Sequence, residues 1–407
     1  MELQRDGLIS PALKKIKIGL LLPLPTPYRD PFIARLAKND HIEIKALFLG
    51  KTCDTWDWKR EPKCDFPHEF VDLPDYFKKK HYTRWIHPKL PKLLRSDNFD
   101  LLVIGGYFIP SEIMAAIWCI KNGIPYIIWF ESHDRGLETT FWRKIIKQII
   151  VEPLIKRASA YFAVGSYARE KILKSGVSPE KVYIILNSPD VDKWIKETDN
   201  LREKRNDIRK NLGLGDGSVL LFVGRMVPEK GLEELINAYR KIIKEGLTDN
   251  LELLLVGEGP LLKSLIEKCH KMGLDKVHFA GFVDPDNLYP YYAAADMFVL
   301  PSRYETFGVV VQEAAAARLP LIVSDCCGAA AEILHDQENG FIFKAGDYNS
   351  LAEKIVSLAS LKNKWAMMGE KSRIIAKKFD FNHGEEQFMK AVQFSLIKRQ
   401  FQWKAQP

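Results

Sequence analysis

The chain has 407 residues, 46% of them hydrophobic and 28% charged, with a formal net charge of +8 and a pI near 8.9. That length exceeds one ordinary core and suits two domains, and the apolar content excludes a disordered chain. About +7 of the charge falls in the first 200 residues, so this half either favours anionic partners or carries a solvated lysine-rich surface.

The N-terminal run Ile16–Leu22 is interrupted by Lys17 and reads as a first strand, not as a secretion signal. "DPFIARLAKN" then reads as a helix beginning at a proline. "IEIKALFLG", "DLLVIGG", "PYIIWFE" and "AYFAVGS" follow as strands, with helices expected over 111–121 and 141–158. Their near-continuous apolar character suits parallel strands covered on both faces. After the turn "LNSPDVDKW", the polar segment 196–218 reads as an inter-domain connection with a short helix. The alternation then restarts. "VLLFVG", "LELLLVG", "VHFAGFV", "MFVLPS" and "LPLIVSD" are strands. "LEELINAYRKIIKEG", "PLLKSLIEKCHKMG", "FGVVVQEAAAAR" and "NSLAEKIVSLAS" are helices. The expected fold is therefore α/β: two Rossmann-like parallel-sheet domains facing a cleft at the carboxyl ends of their strands. The expected divisions are 1–195, 196–380 and a C-terminal helix within 381–407.

Six cysteines are scattered at Cys53, Cys64, Cys119, Cys269, Cys326 and Cys327, with no C-x-x-C pair. Neither a disulfide framework nor zinc spacing is present, which points to a reducing compartment and a cytoplasmic location. No run of about 18 apolar residues marks a membrane-spanning helix.

Two glutamates, Glu305 and Glu313, flank a glycine in "PSRYETFGVVVQEAAAARLPLIVSD". On one helix they would stand about 80° apart around the axis and about 12 Å along it. A carboxylate dyad acting on one glycosidic bond needs about 5–10 Å, so a hydrolytic pair is disfavoured. The helix more plausibly opens near Gly308–Val309 and runs through Arg318, before Pro320. Glu305 then lies on the preceding loop and Glu313 about a turn inside. The free N–H groups at Gly308 and Val309 make a diphosphate site. The plainer alternative is two surface glutamates, one of them favoured by the helix dipole. "FVGRMVPEKGLEELINAY" adds Arg225 and Lys230 on a glycine-flanked turn at a strand's carboxyl end, which suits a diphosphate or is simply solvated. "LLLVGEGPLLKSL" is a weaker strand–turn–helix unit. Gly281–Val283 is an open strand end where a flat base could rest.

Taken in order, G-R-x(4)-K-G, V-G-x-G-P, F-x-G-F-V, A-D-x-F-V-x-P-S, E-x-F-G-x(4)-E-A and "NGFIF" resemble the family-four retaining glycosyltransferases, which have the GT-B fold. The likeness covers most of 219–345 and, more weakly, the first half. It implies transfer of a sugar from a nucleotide diphosphate-sugar, a UDP-sugar being the first expectation, to an acceptor hydroxyl in polysaccharide or glycolipid synthesis. By this resemblance Arg225 and Lys230 hold the diphosphate, with Gly224 on the same turn. Gly308 and Val309 offer N–H groups to it, Thr306 and Phe307 belong to that loop, Glu313 takes the ribose, Glu305 takes the transferred sugar, and Phe282 and Val283 meet the base. The last helix, about 381–399, is expected to cross back onto the first domain. Glu305, Arg225 and Lys230 are the catalytic candidates, and neither a cofactor nor a metal is implied.

One departure concerns the histidine that family members usually carry after the strand "PYIIWFE". That position holds Glu131 here, with His133 two residues on, and either could face donor sugar or acceptor. Tyr28 and Arg29, after the first strand, sit where an acceptor-facing loop belongs. The strings "DVD" (190–192) and "DPD" (284–286) are weak metal signals. The basic, aromatic segment 76–95 and the isoleucine-rich segment 141–157 suit either an anionic, lipid-linked acceptor with peripheral membrane contact, or a solvated loop and a packed helix. A nucleotide-sugar epimerase of the same fold is the rival enzyme, and a silent binding protein is a second alternative. No helix-turn-helix, zinc finger or stacking motif supports nucleic-acid binding.

Overall fold

The computed structural model describes residues 15–52, 64–78, 81–135 and 152–403, with side chains described no further than residue 397. In the first domain the order is β1 (Ile16–Leu22), α1 (Asp30–Leu36), β2 (Ile42–Phe48), β3 (His68–Phe70), α2 (Asp75–Lys78), α3 (Leu90–Asp97), β4 (Leu101–Ile104), α4 (Pro110–Asn122), β5 (Tyr126–Phe130), α5 (Glu152–Arg157), β6 (Ala160–Ala163), α6 (Ser166–Lys174) and β7 (Val182–Ile184). The second runs α7 (Val191–Arg202), α8 (Arg205–Asn211), β8 (Ser218–Val223), α9 (Leu232–Lys244), β9 (Leu251–Val256), α10 (Leu262–Lys271), β10 (Val277–Gly281), α11 (Tyr289–Ala294), β11 (Met297–Leu300), α12 (Val309–Ala316), β12 (Leu321–Ser324), β13 (Gly340–Phe343), α13 (Tyr348–Ser360), α14 (Trp365–Lys378) and α15 (Phe381–Trp403).

The seven strands of the first sheet lie in the order β3-β2-β1-β4-β5-β6-β7 and the six of the second in the order β10-β9-β8-β11-β12-β13, with every pairing parallel. Parallel strands need helical crossovers, which cover both faces and explain strands such as β9 and β11 that are buried throughout. α9 shows the matching helical pattern, burying Leu232, Leu235, Ile236, Tyr239 and Ile242 on one face. In each sheet the order of strand addition reverses between two central strands, β1 and β4 in the first and β8 and β11 in the second. Ligand crevices form at such switch points, outside the carboxyl ends of the strands.

One apolar cluster joins a face of the first sheet (Ile18, Leu20, Phe162), α15 (Phe388, Ala391, Val392) and the core of the second domain. The opposite face of the first sheet packs separately against α3, α4 and α6. α15 does cross back: Phe388 stacks on Phe162 with centroids 5.2 Å apart, and Arg35 and Asn39 bond Glu385 at 2.8 and 3.0 Å.

The sequence expectation differs from the structure in a few places. The segment read as a connection is two helices seated on the second domain. Asp190 caps α7 by accepting from the Lys193 N–H at 3.0 Å, and Trp194 packs on Tyr289 and Tyr292. Arg205 and Arg209 both grip Asp296 at 2.6 Å. Residues 191–195 therefore ride with the second domain. α12 ends at Ala316, short of Arg318, which adopts a left-handed φ of 59°. The short strands β3, β7 and β13 lie at sheet edges, where three or four residues carry too little alternation to stand out. Of the helix expected over 141–158, residues 152–157 are helical and 141–151 lie outside the described residues. Among the described residues, no helix is long and apolar enough to cross a membrane.

Candidate active site

The second domain's contribution begins where β8 ends. Gly224 N–H donates to Val256 O at 3.0 Å and Gly257 N–H to Gly281 O at 2.8 Å, which ties the ends of β8, β9 and β10 together. Arg225 projects from this rim and is exposed, while the next residue, Met226, is fully buried and anchors the turn. Lys230 closes the 3-10 turn 228–230. Phe282, 43% exposed, and half-buried Val283 follow β10.

The decisive loop runs from Pro301 to Gly308. Glu305 N–H donates to Cys326 O at 3.2 Å, Gly328 N–H returns to Glu305 O at 3.0 Å, and Ala329 N–H to Phe307 O at 2.7 Å. Half-buried Thr306 and buried Phe307 lead to Gly308, which precedes α12 with φ 94°. A side chain there would be strained, and its Cβ would meet Cys327 Sγ at 2.9 Å. The first N–H groups of a helix lack intrahelical partners, and among the described residues no carbonyl takes up those of Gly308 and Val309. The Glu305 carboxylate pairs with the Lys230 ammonium, the two side chains being 15% and 19% exposed. Ser302 Oγ stands 3.4 Å from the same carboxylate. Glu313, one turn inside α12, accepts from Tyr292 OH at 2.8 Å, and burial pushes its carboxyl up to about 7 against the lowering effect of that bond.

The first domain faces this loop. Arg29 is buried between the Trp129 ring, 5.2 Å from its guanidinium carbon, and the Tyr28 ring at 5.9 Å, and it pairs with Glu131. Burial, then Glu131, pushes the Tyr28 phenol up to about 12. His133 is 1% exposed and its Nε2 lies 2.8 Å from Glu305 O. A carbonyl can only accept, so Nε2 carries the proton. Burial, with Lys171 and Arg135 adding to it, holds this imidazole below its ordinary value and neutral. The ring sits between Tyr167 and Tyr304 at 5.6 and 5.0 Å.

The structure thus separates the two candidates after β5. Glu131 is engaged by Arg29 within its own domain, whereas His133 bridges the cleft to the Pro301–Gly308 loop. Lys230 and Glu305, 75 residues apart, are brought into contact; Arg225, just past the end of β8, is exposed. The two D-x-D strings serve local turns. Asp190 caps α7, and Asp284 accepts from Asp286 N–H at 3.0 Å. Among the described residues no three His, Cys, Asp or Glu side chains gather as a metal site.

Sequence reasoning missed several groups. Lys171, 8% exposed, reaches Ser132 Oγ at 3.2 Å and Asp134 at 3.0 Å, and Ser132 in turn lies 3.2 Å from Tyr107 OH. These residues come from three separate segments, so no local pattern links them, although Ser132 and Asp134 flank His133. Glu332 meets Ser166 N–H across the cleft, again with no local sequence signal.

Residues 45–193 match the model described as Glycosyltransferase Family 4, and residues 204–374 the model described as Glycosyl transferases group 1. The chain is 30% identical over 297 residues to the uncharacterized glycosyltransferase MJ1178 of Methanocaldococcus jannaschii, covering 71% of this chain and 74% of that protein. It is 29% identical over 246 residues to a GDP-mannose-dependent alpha-(1-6)-phosphatidylinositol monomannoside mannosyltransferase of Mycobacterium tuberculosis, covering 55% of this chain and 61% of the relative. Matches to other curated relatives span 45% and 63% of their lengths. Among solved structures, Anabaena Alr3699/HepE in complex with UDP superposes with a TM-score of 0.72 at 19% identity, covering 93% of this chain and all of that one. The sequence motifs, the paired parallel sheets and these likenesses agree: the chain belongs to the family-four glycosyltransferases of GT-B fold.

Proposed function

We propose that the chain transfers a sugar from a nucleotide diphosphate-sugar to an acceptor hydroxyl, with retention of anomeric configuration and without a metal. The observation that carries this is the meeting of Lys230, Glu305 and the Gly308 end of α12 at the switch point of the second sheet. A leaving diphosphate gains negative charge as the sugar carbon becomes cationic. Lys230, Arg225 and the N–H groups at Gly308 and Val309 are fixed charges and dipoles for that anion. Lys230 and Glu305 pair with each other; on donor binding the diphosphate takes the ammonium and the sugar hydroxyls take the carboxylate. An acceptor entering on the face the diphosphate leaves can pass its proton to a diphosphate oxygen. No protein nucleophile is needed on that route.

A UDP-sugar is the first choice of donor, supported by the UDP and UDP-glucose complexes of HepE; the mycobacterial relative's GDP-mannose makes GDP the comparison. The acceptor is a sugar or lipid-linked sugar in polysaccharide or glycolipid synthesis. A cytoplasmic enzyme resting on anionic lipid fits the basic first half, where Tyr76 and Phe108 are 69% and 57% exposed. Trp85 and His87 of the same basic segment are buried and contribute nothing to such a surface. Sedimentation with anionic vesicles at low salt tests the lipid contact; protein left wholly in the supernatant rules it out. A thermal-shift panel of nucleoside diphosphates and nucleotide sugars tests the donor, with UDP or a UDP-sugar expected to stabilise most. Free nucleoside diphosphate released only when acceptor is present separates transfer from epimerisation.

A further inference from the structure

Glu332 follows the 3-10 turn 328–331 on the second domain, yet its carboxylate lies in the first domain. One oxygen accepts the Ser166 N–H, the first of α6. The other is buried with no protein partner, and the residue is 6% exposed. Gly165, just before the helix, has φ 93°, and a Cβ there would stand 3.0 Å from Glu332 Oε2. Only glycine accommodates both that backbone and so close a carboxylate. A carboxylate at a helix N-terminus meets unsatisfied N–H groups and the positive end of the dipole. Here helix and carboxylate belong to different domains.

The base of this contact is tied to the donor loop. The turn that carries Glu332 donates its Gly328 and Ala329 N–H groups to the carbonyls of Glu305 and Phe307, at 3.0 and 2.7 Å. The residue after Ser166, Tyr167, packs its ring against His133, whose Nε2 is bonded to Glu305 O. Cross-cleft hydrogen bonds from His133 and from Ser166 therefore meet two segments that are bonded to each other, the Pro301–Gly308 loop and the turn before Glu332.

We propose that Glu332 is a positioning residue for the transfer reaction: by capping α6 from across the cleft, it sets the acceptor domain at a fixed place over Glu305 and Gly308. Glu332 touches neither substrate; it acts through the placement of one domain on the other. This rests on the glycosyltransferase reading for its consequence in activity, but not for the latch itself.

Three variants test it in the full chain: Glu332→Ala, Glu332→Gln and Ser166→Pro. Proline is well accepted at the first position of a helix, and the ψ of 173° at Gly165 suits a following proline, so Ser166→Pro keeps α6 while replacing the N–H, and the hydroxyl beside it, with a ring carbon that displaces the carboxylate. Hydrogen exchange read by mass spectrometry, with no substrate present, is expected to quicken over residues 131–135 and 164–169 in Glu332→Ala. In Ser166→Pro it is expected to quicken over 131–135 and 167–169. kcat/KM for the acceptor is expected to fall about tenfold in either variant, Glu332→Gln falling less, while UDP affinity by calorimetry stays within about twofold. The Glu332→Ala/Ser166→Pro double variant should lose no more than either single one, because both remove the same contact. Unchanged exchange, losses that multiply in the double variant, or UDP affinity falling in step with activity each overturn the proposal. The exchange result stands whether or not a donor or acceptor has been found, so failure of the latch and failure of the functional reading are told apart.

Discussion

Glu313 is where the proposed donor site costs the fold most visibly, and Glu313→Gln measures it. Burial raises this carboxyl from 4.5 to about 7 in the folded chain. An acid whose folded value is raised binds more protons folded than unfolded. Its penalty is therefore near zero below pH 4.5, grows as pH rises toward 7, and is constant above. The rise from 4.5 to about 7 corresponds to about 3 kcal/mol of lost stability at pH 8.5, against less than about 1 kcal/mol at pH 5. Glutamine keeps an oxygen to accept the Tyr292 hydroxyl, which reaches Glu313 at 2.8 Å. Glu313→Gln should therefore raise the melting temperature at pH 8.5 by about 3–4 °C and at pH 5 by about 1 °C. Scanning calorimetry at the two pH values, read with UDP affinity, makes the test. If Glu313 takes the ribose, donor affinity should fall as stability rises. An equal gain at both pH values, or a loss at pH 8.5, refutes the account of a buried, proton-hungry carboxyl.

Other predictions follow from the same loop. Gly308→Ala meets both a left-handed backbone and the Cys327 sulfur, so it should destabilise the fold by about 1–3 kcal/mol and abolish UDP-induced stabilisation in thermal melts. Lys230→Ala should lower kcat by about 100- to 1000-fold if the ammonium stabilises the leaving diphosphate. Activity near wild type in the combined Glu305→Gln/Arg225→Ala variant would remove both residues from the site. His133 is held neutral in the fold, so its contribution is fully present above its ordinary value of 6.5 and lost as pH falls through its lower folded value. His133→Ala should accordingly flatten the acid limb of the stability–pH curve, read from denaturant midpoints.

Legibility in the sequence followed the range of each interaction. The strands, the Gly308 helix start and the place of Glu313 inside α12 are local, and apolar runs with a glycine and a proline as punctuation were enough to find them. The Lys230–Glu305 pair depends on two loops 75 residues apart meeting at one switch point, and only the family likeness put both in one site. The choice between Glu131 and His133 stayed open because it turns on Arg29, which lies 102 residues from Glu131 and captures it. Glu332 carried no signal, since a helix N-terminus 166 residues away gives its carboxylate a role. α7 is hard to place from sequence because its charged outer face reads as linker, while Trp194 and Thr198, which seat it with Val191, are sparse.

Calorimetric titration of nucleoside diphosphates into the wild-type chain and Lys230→Ala bears most directly on the central claim. The account predicts one UDP bound per chain, at least about tenfold more weakly in Lys230→Ala, since a charge-assisted bond to phosphate is lost. No binding of UDP or GDP to the wild type, or equal affinity in both proteins, would contradict a donor diphosphate held between Lys230 and the Gly308 end of α12.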